Sequence, residues 1–174
     1  MKHLSKFFLL SYLLFVCSNV FAEQNIAYLD VKKVLNLSKA GKGAQEYLKK
    51  TFESDKAKLK VREKALKDSE SQLLEQKSAL AKEDYTKKVN KLRKEVLQFQ
   101  TDKRNSLQKV AKLRTDAREI LLEKLDPILS KYLEENSISL LLDKKTIVLG
   151  SKDLDITEKI MSILNKEVSS INLK

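Results

Sequence analysis

Histidine and cysteine carry much of enzyme chemistry, and this chain has one of each, His3 and Cys17, both within the first 17 residues. Zinc sites, Ser-His and Cys-His nucleophiles and redox CxxC pairs all draw on them. If that stretch is removed, the remaining chain holds neither. Carboxylate or Ser/Lys chemistry is still available, but no motif for it stands out. Neither catalysis nor a cofactor or metal is expected. The one glycine-bearing run, Ser38-Lys39-Ala40-Gly41-Lys42-Gly43-Ala44, invites comparison with a phosphate cradle. That cradle needs a Gly-Lys pair followed by Ser or Thr, and Gly41-Lys42 is followed by Gly43. The run reads instead as a turn or a lead into a helix.

What does stand out is a series of cations. Lys87, Lys88, Lys91, Arg93, Lys94, Lys103, Arg104, Lys109, Lys112 and Arg114 share their span with only two acids, Glu95 and Asp102. By segment the net charge is +2 for residues 23–43, +1 for 44–84, +7 for 85–125 and −1 for 126–174. Mixed charges on a helix are by default a solvated face. The strong excess of one sign beside a nearly neutral stretch points to binding. Such a field concentrates acidic polypeptides or anionic lipid headgroups, lipopolysaccharide included.

The N-terminus reads as an export signal. Residues 1–6 form a positive lead, Phe7 to Cys17 an apolar run, and Val20-Phe21-Ala22 a small-residue cleavage site, with cleavage expected after Ala22. A retained anchor and a lipid-attached Cys17 are the competing readings. Ser18-Asn19 interrupts a run already shorter than the roughly 20 residues a span needs. Phe15-Val16 stands where a lipoprotein signal has small residues. Without Lys2 and Lys6 the mature chain has 33 basic and 24 acidic residues, a net +9. Export, and the lack of any zinc-finger, basic-zipper or RNA-binding aromatic motif, argue against nucleic acid as partner.

Composition indicates the elements that carry this charge. With three Gly, one Pro, 34% charged and 6% aromatic residues, the chain suits long solvated helices better than a thick-cored globule. From Ala44 to Leu125 there is no Gly or Pro, and Phe52, Leu59, Leu66, Leu73 and Leu80 recur every seven residues. That is a thin seam. The second half is richer: Tyr85, Val89, Leu92, Val96 and Phe99 alternate steps of four and three. After polar Lys103 and Ser106, the phase resumes at Val110, Leu113, Ala117 and Ile120. With Ala81-Lys82-Glu83-Asp84 turning the chain, the halves form an antiparallel hairpin of about 40 residues a side, roughly 60 Å long. One uninterrupted helix is the alternative. Pairing is expected to consume most of the seam's apolar residues, leaving charge as the means of capture.

The ends of the chain differ from the middle. Ile26 to Val31 suits a strand, and Lys32 to Leu37 a helical turn. Asp126-Pro127 is expected to end the arm and restart a short helix over Ile128 to Glu135. Ile138 to Leu142 and Thr146 to Leu149 read as two strands around Asp143-Lys144-Lys145. Asp155-Ile156-Thr157-Glu158 then caps a helix carrying Ile160, Ile163, Leu164 and Val168. The predicted class is α+β, a long antiparallel helical hairpin projecting from a small β-containing body. Residues 1–22 are the signal, 23–43 and 126–174 the body, and 44–125 the arm. So few short strands are marginal alone. Self-association is therefore expected, with Leu29, Ile138, Leu140, Leu142, Ile147 and Leu149 forming the body core and its oligomer contacts.

In this order and spacing the residues resemble the periplasmic chaperones of the Skp/OmpH type. The likeness rests on the export signal, on Ile26-Ala27-Tyr28-Leu29-Asp30-Val31-Lys32-Lys33-Val34-Leu35-Asn36 and on Ala40-Gly41-Lys42-Gly43-Ala44 leading into a charged helix. It continues through Leu142-Asp143 and Leu154-Asp155-Ile156-Thr157 to Leu164-Asn165. One departure is Glu134-Glu135-Asn136-Ser137, where the family has a glycine; Asn tolerates the left-handed backbone that Gly supplies. The resemblance implies a homotrimer with a central barrel. It also implies three arms around a cavity that holds unfolded outer-membrane proteins without ATP. A structural coiled-coil scaffold of the envelope is the alternative function.

Overall fold

The computed structural model describes residues 25–173, so the expected signal segment and its cleavage site lie outside the described residues. The elements are β1 (Asn25–Leu29), α1 (Val31–Leu37), α2 (Lys39–Glu75), α3 (Lys82–Glu135), β2 (Ile138–Asp143) and α4 (Thr157–Glu167). Helices α2 and α3, of 37 and 54 residues, pack against each other as the hairpin arm. No helix among the described residues is long and apolar enough to cross a membrane.

Helix α2 starts at Lys39, ahead of Ala44, because buried Ser38 caps it: the hydroxyl accepts from the Gly41 N–H at 3.1 Å. Gly41 lies inside this helix. A Cβ there would sit 1.8 Å from the Leu35 carbonyl oxygen, so glycine lets α1 and α2 meet. At the far end, Gln76–Ser78 forms a 3₁₀ turn and α3 begins at Lys82. Of the expected turn Ala81–Asp84, only Ala81 is outside the helix. Glu83 and Asp84 occupy its first turn, where they complement the positive end of the helix dipole.

Helix α3 does not break at Pro127, as the sequence led us to expect, but runs through it to Glu135. Proline supplies no N–H to the Glu123 carbonyl, a loss of about 3 kcal/mol in a helix interior. Leu125 and Ile128 flank it and are buried in the body core, at about 1.5–3 kcal/mol each. That packing outweighs the missing bond. The left-handed residue after α3 is Ser137, at φ 53°, and not Asn136, whose side-chain amide instead donates to the Tyr132 carbonyl at 2.8 Å.

In the body, β1 and β2 run parallel, Ala27 opposite Leu141 and Tyr28 opposite Leu142. Tyr28 also bridges to Asp155 on its other side. A register shift beside Ile26 disturbs the period-two pattern of β2. Consequently Ile138 and Leu141 pack on the core, while Leu140 is 48% exposed and Leu142 half-buried. Leu29 is fully buried with Val34, Leu125, Ile160 and Leu164.

The expected strand Thr146–Leu149 is absent. Lys144–Thr146 is a 3₁₀ turn, started by the Asp143 carboxylate accepting the Lys145 N–H at 3.1 Å. Ile147 is half-buried, and Leu149 is 93% exposed. Asp143 caps this turn and Lys144 bonds to Asp155 at 2.7 Å, which commits the chain leaving β2 to the turn and leaves the outer edge of β2 unpaired among the described residues.

The closing helix is fixed by a compact polar cluster. Asp155 accepts from the Thr157 N–H at 3.0 Å and from the Lys144 ammonium at 2.7 Å, and the Thr157 hydroxyl accepts from the Asp30 N–H at 2.9 Å. Burial opposes ionisation of Asp155. The hydrogen bonds from Lys144 and Thr157 nevertheless hold its carboxyl below the ordinary carboxylate value.

Candidate functional site

The arm carries the expected cations, but not as one site. Lys87, Lys88, Lys91, Arg93 and Lys94 fall within eight residues near the tip, about 11 Å of helix at the usual rise. Lys103 and Arg104 lie midway, and Lys109, Lys112 and Arg114 nearer the body. Lys87 lies 3.6 Å from Asp84, Lys91 3.9 Å from Glu95, Lys109 4.0 Å from Asp55 and Lys112 2.6 Å from Asp116. Lys88 donates to Gln76 across the hairpin at 2.8 Å. Among the described residues, Arg93, Lys94, Lys103, Arg104 and Arg114 form no ion pair. Exposed pairs of this kind are weak, so the segment's positive excess stays in solvent.

The seam between the helices has three parts. At the base, Ala44, Leu48, Leu113 and Ala117 are buried together. In the middle it turns polar: Arg62 pairs with Asp102, and Ser106 donates to Asp55 at 3.2 Å. The heptad pattern expected Lys103 and Phe52 in this seam. Lys103 is exposed and Phe52 39% exposed, while Asp102 and Asp55 face inward. A row every seven residues drifts about 20° per heptad around a helix of 3.6 residues per turn. The buried row on α3 accordingly runs Leu113, Ala117, Leu121, Leu125, Ile128.

Toward the tip, α2 offers one apolar residue per heptad against the two of α3 and cannot cover them. Tyr85, Val89, Leu92, Val96 and Phe99 remain half-buried. They line a groove of about 660 Å³ together with Leu66, Leu73, Leu74 and Leu97. Leu74 and Leu97 are 61% and 62% exposed, and Glu63, Lys67, Glu70 and Arg93 also border it. This corrects the expectation that pairing consumes the seam. The sequence held one signal for it: Leu74 and Leu97 double the seam positions Leu73 and Val96, which widens the apolar stripe.

Arm and body together define a class, an α+β protein with a long, half-open, basic helical hairpin on a two-stranded base. The profile of the family described as Outer membrane protein (OmpH-like) matches residues 25–164, and the chain belongs to that family. The crystal structure of a protein assigned as an OmpH-like outer membrane chaperone, from Caulobacter crescentus CB15, superposes with a TM-score of 0.82. The two share 17% identity over 86% of this chain and 89% of that one, a likeness of fold. No curated protein matches.

Proposed function

We propose that the exported, mature chain is an ATP-independent holdase of the periplasm, which keeps unfolded outer-membrane proteins from aggregating before their insertion. The observation that carries this reading is the half-open distal arm, whose apolar groove adjoins the basic stretch Lys87–Lys94. Exposed apolar surface of this kind marks an interaction site. Many weak contacts of both kinds hold a chain without nucleotide and still release it, and no catalytic step is assigned. Three arms on a trimeric body would surround one client, with Leu140, Ile147 and Leu149 supplying contacts between copies. The family membership and the chaperone assignment of the Caulobacter protein support the same reading.

The test is dilution of a urea-unfolded β-barrel membrane protein into buffer containing the mature protein without nucleotide, followed by light scattering. The expected result is suppressed aggregation, reduced in Leu74→Ser with Leu97→Ser. Unchanged aggregation with the unmodified protein would favour an envelope scaffold. Mass spectrometry of envelope material should find an N-terminus at Glu23, and a retained Met1 in membrane pellets would overturn the soluble assignment.

A further inference from the structure

The last residues of the described chain leave α4 and return to the arm. Val168 is extended, its N–H bonded to the Leu164 carbonyl at 2.8 Å, and it packs on the body core. Ile171 packs against both that core and the cluster at the arm base. Leu173, 9% exposed, is buried in the base cluster itself. Ile171 and Leu173 are two apart, so an extended segment presents both on one side. Neither residue belongs to the heptad seam of the arm or to the expected core of the body.

Two features make this joint one that a short segment can brace. Ala44 and Ala117 are small, so the base cluster is poor in side-chain volume and Leu173 supplies some of it. Helix α3 also enters the body one hydrogen bond short, because Pro127 offers no N–H to the Glu123 carbonyl. Glu123 and Ile120 border the same surface groove as Asn172 and Leu173.

We propose that residues 168–173 are a strap that ties the arm to the body and restrains the base of the hairpin. Seated, it joins the two apolar clusters through Ile171 and Leu173. Released, it leaves the arm base held only by the thin seam between the two long helices. The contact with the arm base is made by two side chains, Ile171 and Leu173, which suits reversible seating. The inference stands whatever the arm holds.

Hydrogen exchange of the full mature protein tests this directly. In Ile171→Ser with Leu173→Ser, and in a chain ending at Val168, amides of residues 44–51 and 110–121 should exchange about tenfold faster. Those of β1 and α4 should be unchanged. Ser170→Ala, at an exposed position of the same segment, should match the unmodified protein. Equal rates at the arm base in all variants would overturn the strap. So would equal acceleration throughout β1 and α4, which would make the segment an ordinary part of the body core.

Discussion

Arg62 of α2 and Asp102 of α3 pair across the middle of the arm, between an apolar groove on one side and an apolar base on the other. Gln98 also donates to Asp102, at 2.8 Å. A polar layer in an apolar seam penalises every other register of the two helices. Each side chain is a third or more exposed, so the pair contributes little stability of its own. Asp102→Ala should therefore cost about 1 kcal/mol or less. Replacing both residues by Leu should leave the arm as stable or more so. Melting followed by circular dichroism distinguishes the cases, and a double-Leu arm that melts below Asp102→Ala would show the pair to be a stabiliser instead.

Two glycines two residues apart should respond oppositely to alanine. Gly41→Ala forces a Cβ against the Leu35 carbonyl and should cost about 1–3 kcal/mol, an overpacking penalty. Gly43 has open space and should gain about 0.5–1 kcal/mol as Ala. By the same logic Ser137→Gly should stabilise by about 1 kcal/mol, since φ 53° disfavours a side chain. Urea unfolding midpoints of the three variants decide the signs.

Acid should loosen the body at Asp155. Its carboxyl is depressed in the folded chain, so its contribution is present above the unfolded value near about 4 and is lost as pH falls through the lower folded value. Asp155→Asn should remove that part of the pH dependence and cost about 1–2 kcal/mol near neutrality. Equal acid sensitivity in the variant and the parent would remove Asp155 from the account.

Oligomerisation is expected through the outward apolar residues of the body. Leu140 and Leu149 are exposed in one chain, and Val148 beside them is fully so. Leu140→Asp, or Val148→Asp with Leu149→Asp, should dissociate the assembly while leaving the arm helical. Sedimentation reads this, and a monomeric parent at micromolar concentration would refute it.

Capture should depend on salt. The Debye length falls from about 10 Å at 0.1 M to about 3 Å at 1 M, so steering by the arm weakens. Changing Lys87, Lys88, Lys91, Arg93 and Lys94 together to Glu should slow association of an acidic unfolded membrane protein in stopped flow. The Leu74/Leu97 variant should instead dissociate faster. Association indifferent to salt and to the five reversals would make the basic face ordinary solvated surface.

The sequence alone determined the features that local chemistry decides. Apolar spacing predicted two long helices, Asp155 to Glu158 marked the start of α4, and the count of charges placed the cations on α3. Each depends on residues within a few turns of one another, where periodicity and capping act directly. Only the tertiary structure decided the rest, because those outcomes depend on which surfaces meet. Pro127 stays helical because the body core buries its neighbours, and Ile147–Leu149 forms no strand because the chain leaves β2 through a turn capped by Asp143 and tied by Lys144 to Asp155. The slow drift of a heptad around a straight helix turned Asp102 inward in place of Lys103. The groove at the tip exists because the two seams, unequal in number, are laid side by side, and Leu173 is buried because the chain folds back on a cluster more than fifty residues away in sequence.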